Sequence, residues 1–167
     1  MQGEDFQIAL TEKRAGRSPL TQRLVPHRQL TGYSPKPIFE SLASQVGGLP
    51  GVGERESRMG EAQTRAFWIS DALANGPREA FIDDHEFCHL HEGGFLHLSL
   101  PRDVRERVVR LGWGEVHPAA DAGFVPATWT MVYAPRDIAE LTAVTELAIT
   151  SHRFATGGSI LKPESKS

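Results

Sequence analysis

The sequence predicts an α+β fold: a single domain with a largely antiparallel sheet and helices packed on it. Three observations predict it. Apolar residues recur at helical spacing near residues 35–46, 101–110 and 135–154. Between these stretches lie short alternating runs, the clearest being "EFCHLHEGGFLHLSL" at 86–100. The resulting order is helix, several strands, helix, strands, helix, with no internal repeat.

The chain has 167 residues and a mass of 18.4 kDa, enough for one core and a tail. The expected boundaries are a flexible N-terminal arm over 1–33, the folded domain over 34–158 and a C-terminal tail over 159–167. Within the arm, "TEKRAGRSPLTQRLVPHRQLTGYSPKP" is polar, basic and broken by prolines. It reads as mobile or as draped over the body.

The first helix is expected from Pro35 to Val46. Ser34 is its candidate cap, and Ile38, Phe39, Leu42, Ala43 and Val46 share one face. Gly47 and Gly48 end it. "VGERESR" and "TRAFWIS" read as strands that pair across Met59–Gln63. Asn75-Gly76-Pro77 marks a turn before a short strand at Ala80–Ile82.

The stretch at 86–100 reads as a β-hairpin turning at Glu92-Gly93-Gly94. Period-two alternation sends Cys88 and Leu90 one way and Phe87, His89 and His91 the other. In the second arm Leu96, Leu98 and Leu100 share a face, while Phe95, His97 and Ser99 share the opposite one. If His91 lies opposite Phe95, then His89 lies opposite His97, and three imidazoles gather on one face.

A helix follows over Pro101–Arg110, with Val104, Val108, Val109 and Leu111 as its buried stripe. "WGEVHP" and "ATWTMVY" read as strands joined by the loop "PAADAGFVP". The last helix is expected from Pro135 to Phe154, burying Ile138, Leu141, Val144, Leu147 and Ala148, and stopped by Thr156-Gly157-Gly158.

Composition narrows the function classes. A net charge of −3 gives no reason to expect nucleic acid or an anionic membrane as partner. No apolar run approaches the roughly 18 residues of a membrane span. The N-terminus "MQGEDFQIAL" is acidic and lacks a signal-peptide core, so a cytoplasmic location is expected. Cys88 is the single cysteine, which excludes an internal disulfide, and its place on the apolar face suits an inert thiol.

Two chemistries fit the histidine face. His89, His91 and His97 could ligate zinc or iron, with Glu86 or Glu115 in support. Alternation puts Glu86 on the opposite face unless a bulge intervenes. Alternatively, neutral imidazoles could move protons, joined by His117 and Tyr133 from neighbouring strands. Phe87, Phe95, Trp113 and Trp129 could wall a pocket for a flat substrate, or simply fill the core. Arg136 could bind an anionic ligand or pair with a carboxylate.

"EFCHLH", "LHLSL", "GWGEVHP" and "WTMVYAPRD", in this order, resemble the C-terminal domain of fungal luciferase and the bacterial proteins that share it. The resemblance covers about residues 80–156. It implies an oxidoreductase of the luciferase or monooxygenase type, acting on a flat enolic or phenolic molecule such as a 3-hydroxyhispidin-like pyrone. Molecular oxygen is the implied co-substrate, and no cofactor is expected, zinc or iron being the alternative. Glu86, His89, His91, His97, His117 and Arg136 occupy the family's motif positions and are the candidate catalytic residues. Phe87, Phe95, Trp113, Trp129 and Tyr133 are the candidate substrate-binding residues. A non-catalytic module binding a small aromatic ligand is the other reading. The sequence departs from the fungal members in showing no membrane-spanning segment, in a shorter turn between His91 and His97, and in Ala119-Ala120-Asp121 where Leu-Ala-Gly is usual. These departures bear on the substrate more than on the fold.

Overall fold

The computed structural model describes residues 10–57, 61 and 63–158. The acidic N-terminus, the expected tail over 159–167, and Met59, Gly60 and Ala62 of the expected turn lie outside the described residues.

The expected α+β architecture is found. Six strands form one antiparallel sheet: β3 (Val52–Glu56), β4 (Arg65–Ile69), β5 (Glu86–Leu90), β6 (Leu96–Ser99), β7 (Gly114–Val116) and β8 (Trp129–Val132), in the spatial order β3-β4-β5-β6-β8-β7. Two short strands, β1 (Thr21–Gln22) and β2 (Arg28–Gln29), make a separate hairpin. The described residues also form four helices: α1 (Lys36–Gly47), α2 (Arg102–Arg110), the single turn α3 (Pro118–Asp121) and α4 (Ile138–Thr156). Among the described residues no helix is long and apolar enough to cross a membrane.

One sheet face carries the main core. Phe67, Cys88, Leu90, Leu96, Leu98 and Val132 pack beneath Leu42 and Val46 of α1 and Val144, Leu147 and Ala148 of α4. Each such aliphatic side chain, fully withdrawn from water, contributes about 1.5–3 kcal/mol. The β5–β6 turn depends on Gly93 and Gly94, whose φ values are +94° and +101°. A Cβ on Gly94 would also lie 2.3 Å from the Ser34 hydroxyl oxygen.

Several boundaries differ from expectation for local reasons. Ser34 does not cap α1; its hydroxyl donates to the Pro135 carbonyl at 2.5 Å, tying the helix entry to the β8–α4 connection. Residues 78–80 form a 3₁₀ turn rather than the start of a strand, since Pro77 presets the backbone for such a turn. The expected loop after His117 begins with α3, whose first position holds Pro118. The last helix starts at Ile138 because Asp137 caps it, its Oδ1 accepting from the Glu140 amide at 2.8 Å. Ile138 therefore lies at the exposed start of the helix, 74% accessible, and Val109 points outward at 40%.

From residue 10 the stretch read as an arm is draped over the body. Leu10 joins the core, the Arg14 amide donates to the Leu111 carbonyl (2.9 Å), and Trp113 Nε1 donates to the Glu12 carbonyl (2.8 Å). Further on, Gln29 Oε1 accepts from the Ala134 amide at 2.9 Å. These contacts hold the β1–β2 hairpin over the sheet face opposite the core.

Leu147 is fully buried at the centre of the α4–sheet contact. Leu147→Ala is expected to lower unfolding stability by about 2–5 kcal/mol. Urea denaturation would show a reduced midpoint with an unchanged slope, and an unchanged midpoint would contradict this packing.

Candidate functional site

The sheet face away from the main core carries the histidines. The β5–β6 register sets His89 opposite His97, as alternation predicts, and the His91 amide donates to the Phe95 carbonyl at 2.9 Å. On β8, Met131 lies opposite His97 and Trp129 opposite Ser99, so both belong to this face. On β7, Glu115 pairs with Met131, and His117 reaches in from the strand's end.

Strict alternation fails at one point. The β4–β5 register shifts at Phe67/Trp68, so that Cys88 opposes Phe67 while Glu86 opposes Trp68. The extra residue is Phe87. It packs into the core and meets His152 edge-on at 5.8 Å. Glu86 instead turns onto the histidine face, where its Oε1 accepts from His89 Nδ1 at 2.8 Å. The bulge thus brings Glu86 to the site and removes Phe87 from it.

Five buried imidazoles meet there: His27, His89, His91, His97 and His117. His27 comes from the draped segment, and sequence reading did not single it out. A weak signal exists in the mirrored runs "LTQ" and "RQL" flanking it, which pair as β1 and β2. His27 Nε2 donates to Glu115 Oε1 at 2.6 Å, and its ring stacks on His97 at 5.1 Å. His97 Nε2 lies 3.2 Å from His27 Nδ1. On its other side His97 Nδ1 lies 3.0 Å from His89 Nε2 and 2.9 Å from His91 Nε2. A continuous line therefore runs Glu86–His89–His97–His27–Glu115, and His91 joins it at His97.

The outer carboxylates fix where the protons sit. Glu86 requires the proton of neutral His89 on Nδ1, which leaves Nε2 bare. A His27 ring that carries one proton holds it on Nε2 toward Glu115, which leaves Nδ1 bare to accept from His97 Nε2. His97 Nδ1 is then bare as well. Glu115 also accepts from Thr21 Oγ1 and from the Tyr133 hydroxyl, both at 3.1 Å. Burial raises its pKa, but the bonds from His27, Thr21 and Tyr133 outweigh that and hold it below the usual range. Tyr133 is pushed up to about 12 by burial and by Glu115.

Burial also favours the neutral form of His89, His91, His97 and His117. It lowers His89 and His91 to about 3, with neighbouring rings adding to the effect at His91. His97 is held well below its usual value by burial and then by His89, His91, His117 and His27. His117 falls to about 4 by burial and the nearby His27 and His89.

The remaining candidates divide. Phe95 stacks on His91 with centroids 4.4 Å apart and planes 5° from parallel. Trp129 meets His117 edge-on at 5.4 Å. Tyr133 enters through Glu115. Trp113 instead joins the core, bonded to the arm through Glu12. Arg136 is not brought to the histidines: its guanidinium grips Glu140 (Nη2 to Oε2, 2.6 Å) and donates to the Ala15 carbonyl at 2.7 Å. Cys88 lies fully buried on the core face, its thiol pushed well up by burial.

An open cleft of about 680 Å³ reaches this cluster at its edge. Its walls include Arg28, Tyr33, Glu61, His91, Gly93 and Phe95. His91 is the ring that touches both the cleft and the line of histidines.

The depressed imidazoles link stability to pH. Near pH 6.5 the unfolded chain takes up protons that folded His89, His91 and His117 refuse until about pH 3–4. Their contribution is complete above the unfolded value and shrinks as pH falls. Urea midpoints are therefore expected to drop steadily from about pH 7.5 to about pH 4.5. A midpoint that is flat or rises over that range would contradict neutral burial.

The model of the luciferase domain matches residues 84–151. That stretch supplies Glu86, His89, His91, His97, Glu115, His117, Trp129 and Tyr133. Luciferases of Armillaria gallica and Armillaria mellea are 43% identical over 68 residues, which is 38% of this chain and 25% of each relative. Luciferase of Neonothopanus nambi is 35% identical over 75 residues, 42% of this chain and 28% of the relative. The chain thus spans about a quarter of the length of the curated relatives it matches. No solved structure matches it. Residues 84–151, which build most of the histidine face, are thus similar to the luciferase domain.

Proposed function

We propose that this chain is an oxygen-using oxidoreductase of the luciferase type. Its substrate is a flat enolic or phenolic small molecule, for which a 3-hydroxyhispidin-like pyrone is the model. The observation that carries this reading is the continuity between the cleft and the buried histidines at His91. A planar ring lying along Phe95 and Tyr33 would present its edge to His91.

The chemistry asked of the site is specific. Loss of the enol proton leaves an electron-rich anion, which reacts with molecular oxygen. Neutral imidazole is the form that accepts a proton, and the buried cluster holds its rings in that form. The same burial excludes bulk water, which would intercept a reactive peroxide. His91, with a pKa near 3, is a weak base by itself. The anion therefore needs a second stabilising group in the cluster. Arg136 is committed to Glu140 and has no part in this scheme.

Oxygen consumption with 3-hydroxyhispidin and related pyrones tests the proposal. Turnover is expected, with His91→Gln lowering kcat by about 100-fold or more. Phe95→Ala is expected to act chiefly on KM, through the lost stacking wall. A pyrone that binds without oxygen uptake, with binding unchanged in His91→Gln, would replace this reading with a non-catalytic binding module.

A further inference from the structure

The line of histidines contains an electrostatic gap. His89 Nε2 and His91 Nε2 both approach His97 Nδ1, at 3.0 and 2.9 Å, and the three nitrogens lie within 4.8 Å of one another. Glu86 and the His27–Glu115 pair direct the protons of His89 and His97 to their far nitrogens. At most one proton, that of His91, remains for the three converging nitrogens. Two lone pairs then stay buried face to face, an arrangement that costs free energy and that a cation between them would relieve.

Geometry says which cation fits. Metal–nitrogen bonds of about 2.0–2.1 Å set adjacent ligand nitrogens about 3.0–3.4 Å apart. The observed separations of 2.9 and 3.0 Å need only a slight opening of the rings. Neutral imidazoles suit first-row divalent ions such as Zn²⁺ and Fe²⁺. The carboxylate behind His89 is the outer partner that metal-bound histidines commonly have.

We propose that His89 Nε2, His91 Nε2 and His97 Nδ1 form a three-nitrogen site for one divalent first-row metal ion, oriented by Glu86 and by His27 with Glu115. It takes the histidine cluster as the reactive centre proposed above and supplies the missing stabilising group beside the cleft. Because His91 also lines the cleft, an ion held there would lie near where the substrate anion would arrive. The alternative trio of His27, His97 and His117 is less suitable. His117 Nδ1 already accepts from the Ala119 amide at 3.1 Å, which puts its proton on Nε2, and His97 Nε2 carries the proton shared with His27.

The test uses the full chain without a histidine tag, freed of metal and titrated with Co²⁺ and then Zn²⁺. One saturating equivalent is expected, with visible Co²⁺ absorption bands that Zn²⁺ abolishes. His91→Gln and His97→Gln should each weaken binding at least 100-fold. Glu86→Gln, a positioning change, should weaken it about 10-fold or more with shifted Co²⁺ bands. His85→Gln should leave binding intact. X-ray absorption of the Zn²⁺-loaded wild type should show imidazole nitrogens as ligands, a readout that needs no variant to fold. Absence of saturable binding, equal binding by His91→Gln, or an all-oxygen coordination shell would overturn the site. Oxygen uptake by rigorously metal-free protein would also overturn it while sparing the oxygenase reading. Specific metal binding without any oxygen uptake would support the site and remove that reading instead.

Discussion

The register between β5 and β6 is the constraint on which the rest depends. It sets His89 opposite His97 and Leu90 opposite Leu96. One alignment therefore fills the apolar core and assembles the histidine face together. A slip by one residue would exchange the faces, sending imidazoles under α4 and leucines under the arm. The hydrophobic demand on one side thereby enforces the polar arrangement on the other. Gly93 and Gly94 lock that alignment at the turn, where Ser34 and Tyr33 leave no space for a side chain.

Burying five imidazoles is costly unless their hydrogen-bonding groups find partners. Two carboxylates solve this at the ends of the line, Glu86 for His89 and Glu115 for His27. Each is itself anchored: Ser57 Oγ donates to Glu86 at 3.1 Å, while Thr21 and Tyr133 donate to Glu115. Order imposed at the ends propagates inward, because a neutral imidazole with one nitrogen committed has its other nitrogen's role determined. His97, in the middle, meets opposite demands: His27 Nδ1 calls for its proton on Nε2, while the bare His89 Nε2 calls for it on Nδ1. Changes at Glu115 or Thr21 are therefore felt at His89 without direct contact.

How much of this was legible in the sequence follows from range. Alternation within 86–100 was enough to bring His89, His91, Phe95 and His97 to one face, since each lies within a single hairpin. The helices were legible from their apolar stripes, whereas Ile138 was misjudged because Asp137 caps the helix and leaves that residue at its exposed start. Glu86 and Phe87 exchanged roles because a bulge depends on the β4 partner, which local periodicity cannot show. His27 stayed hidden for the same reason: its place is set by contacts to His97 on β6 and Glu115 on β7, 70 and 88 residues away in sequence. Arg136 sits in a motif yet pairs with Glu140 one helical turn on, a partner that an i,i+4 reading could have named.

On the proposed function, the groups for reaction and those for recognition are spread unevenly along the chain. Residues 84–151 contribute the three converging nitrogens, both outer carboxylates and His117. The cleft walls add Arg28, Gln29, Tyr33, Ser34, Glu61 and Thr64, all outside the matched stretch, to His91, Glu92, Gly93 and Phe95 within it. Similarity to the fungal luciferases therefore concerns the groups that would do chemistry on any bound ring. It says less about which ring is bound, because that choice rests in part on side chains the similarity does not reach. Even His27 belongs to this outer set, although it completes the inner line. A change in the draped segment can thus alter the ligand accepted and, through His27 and His97, the proton arrangement around it.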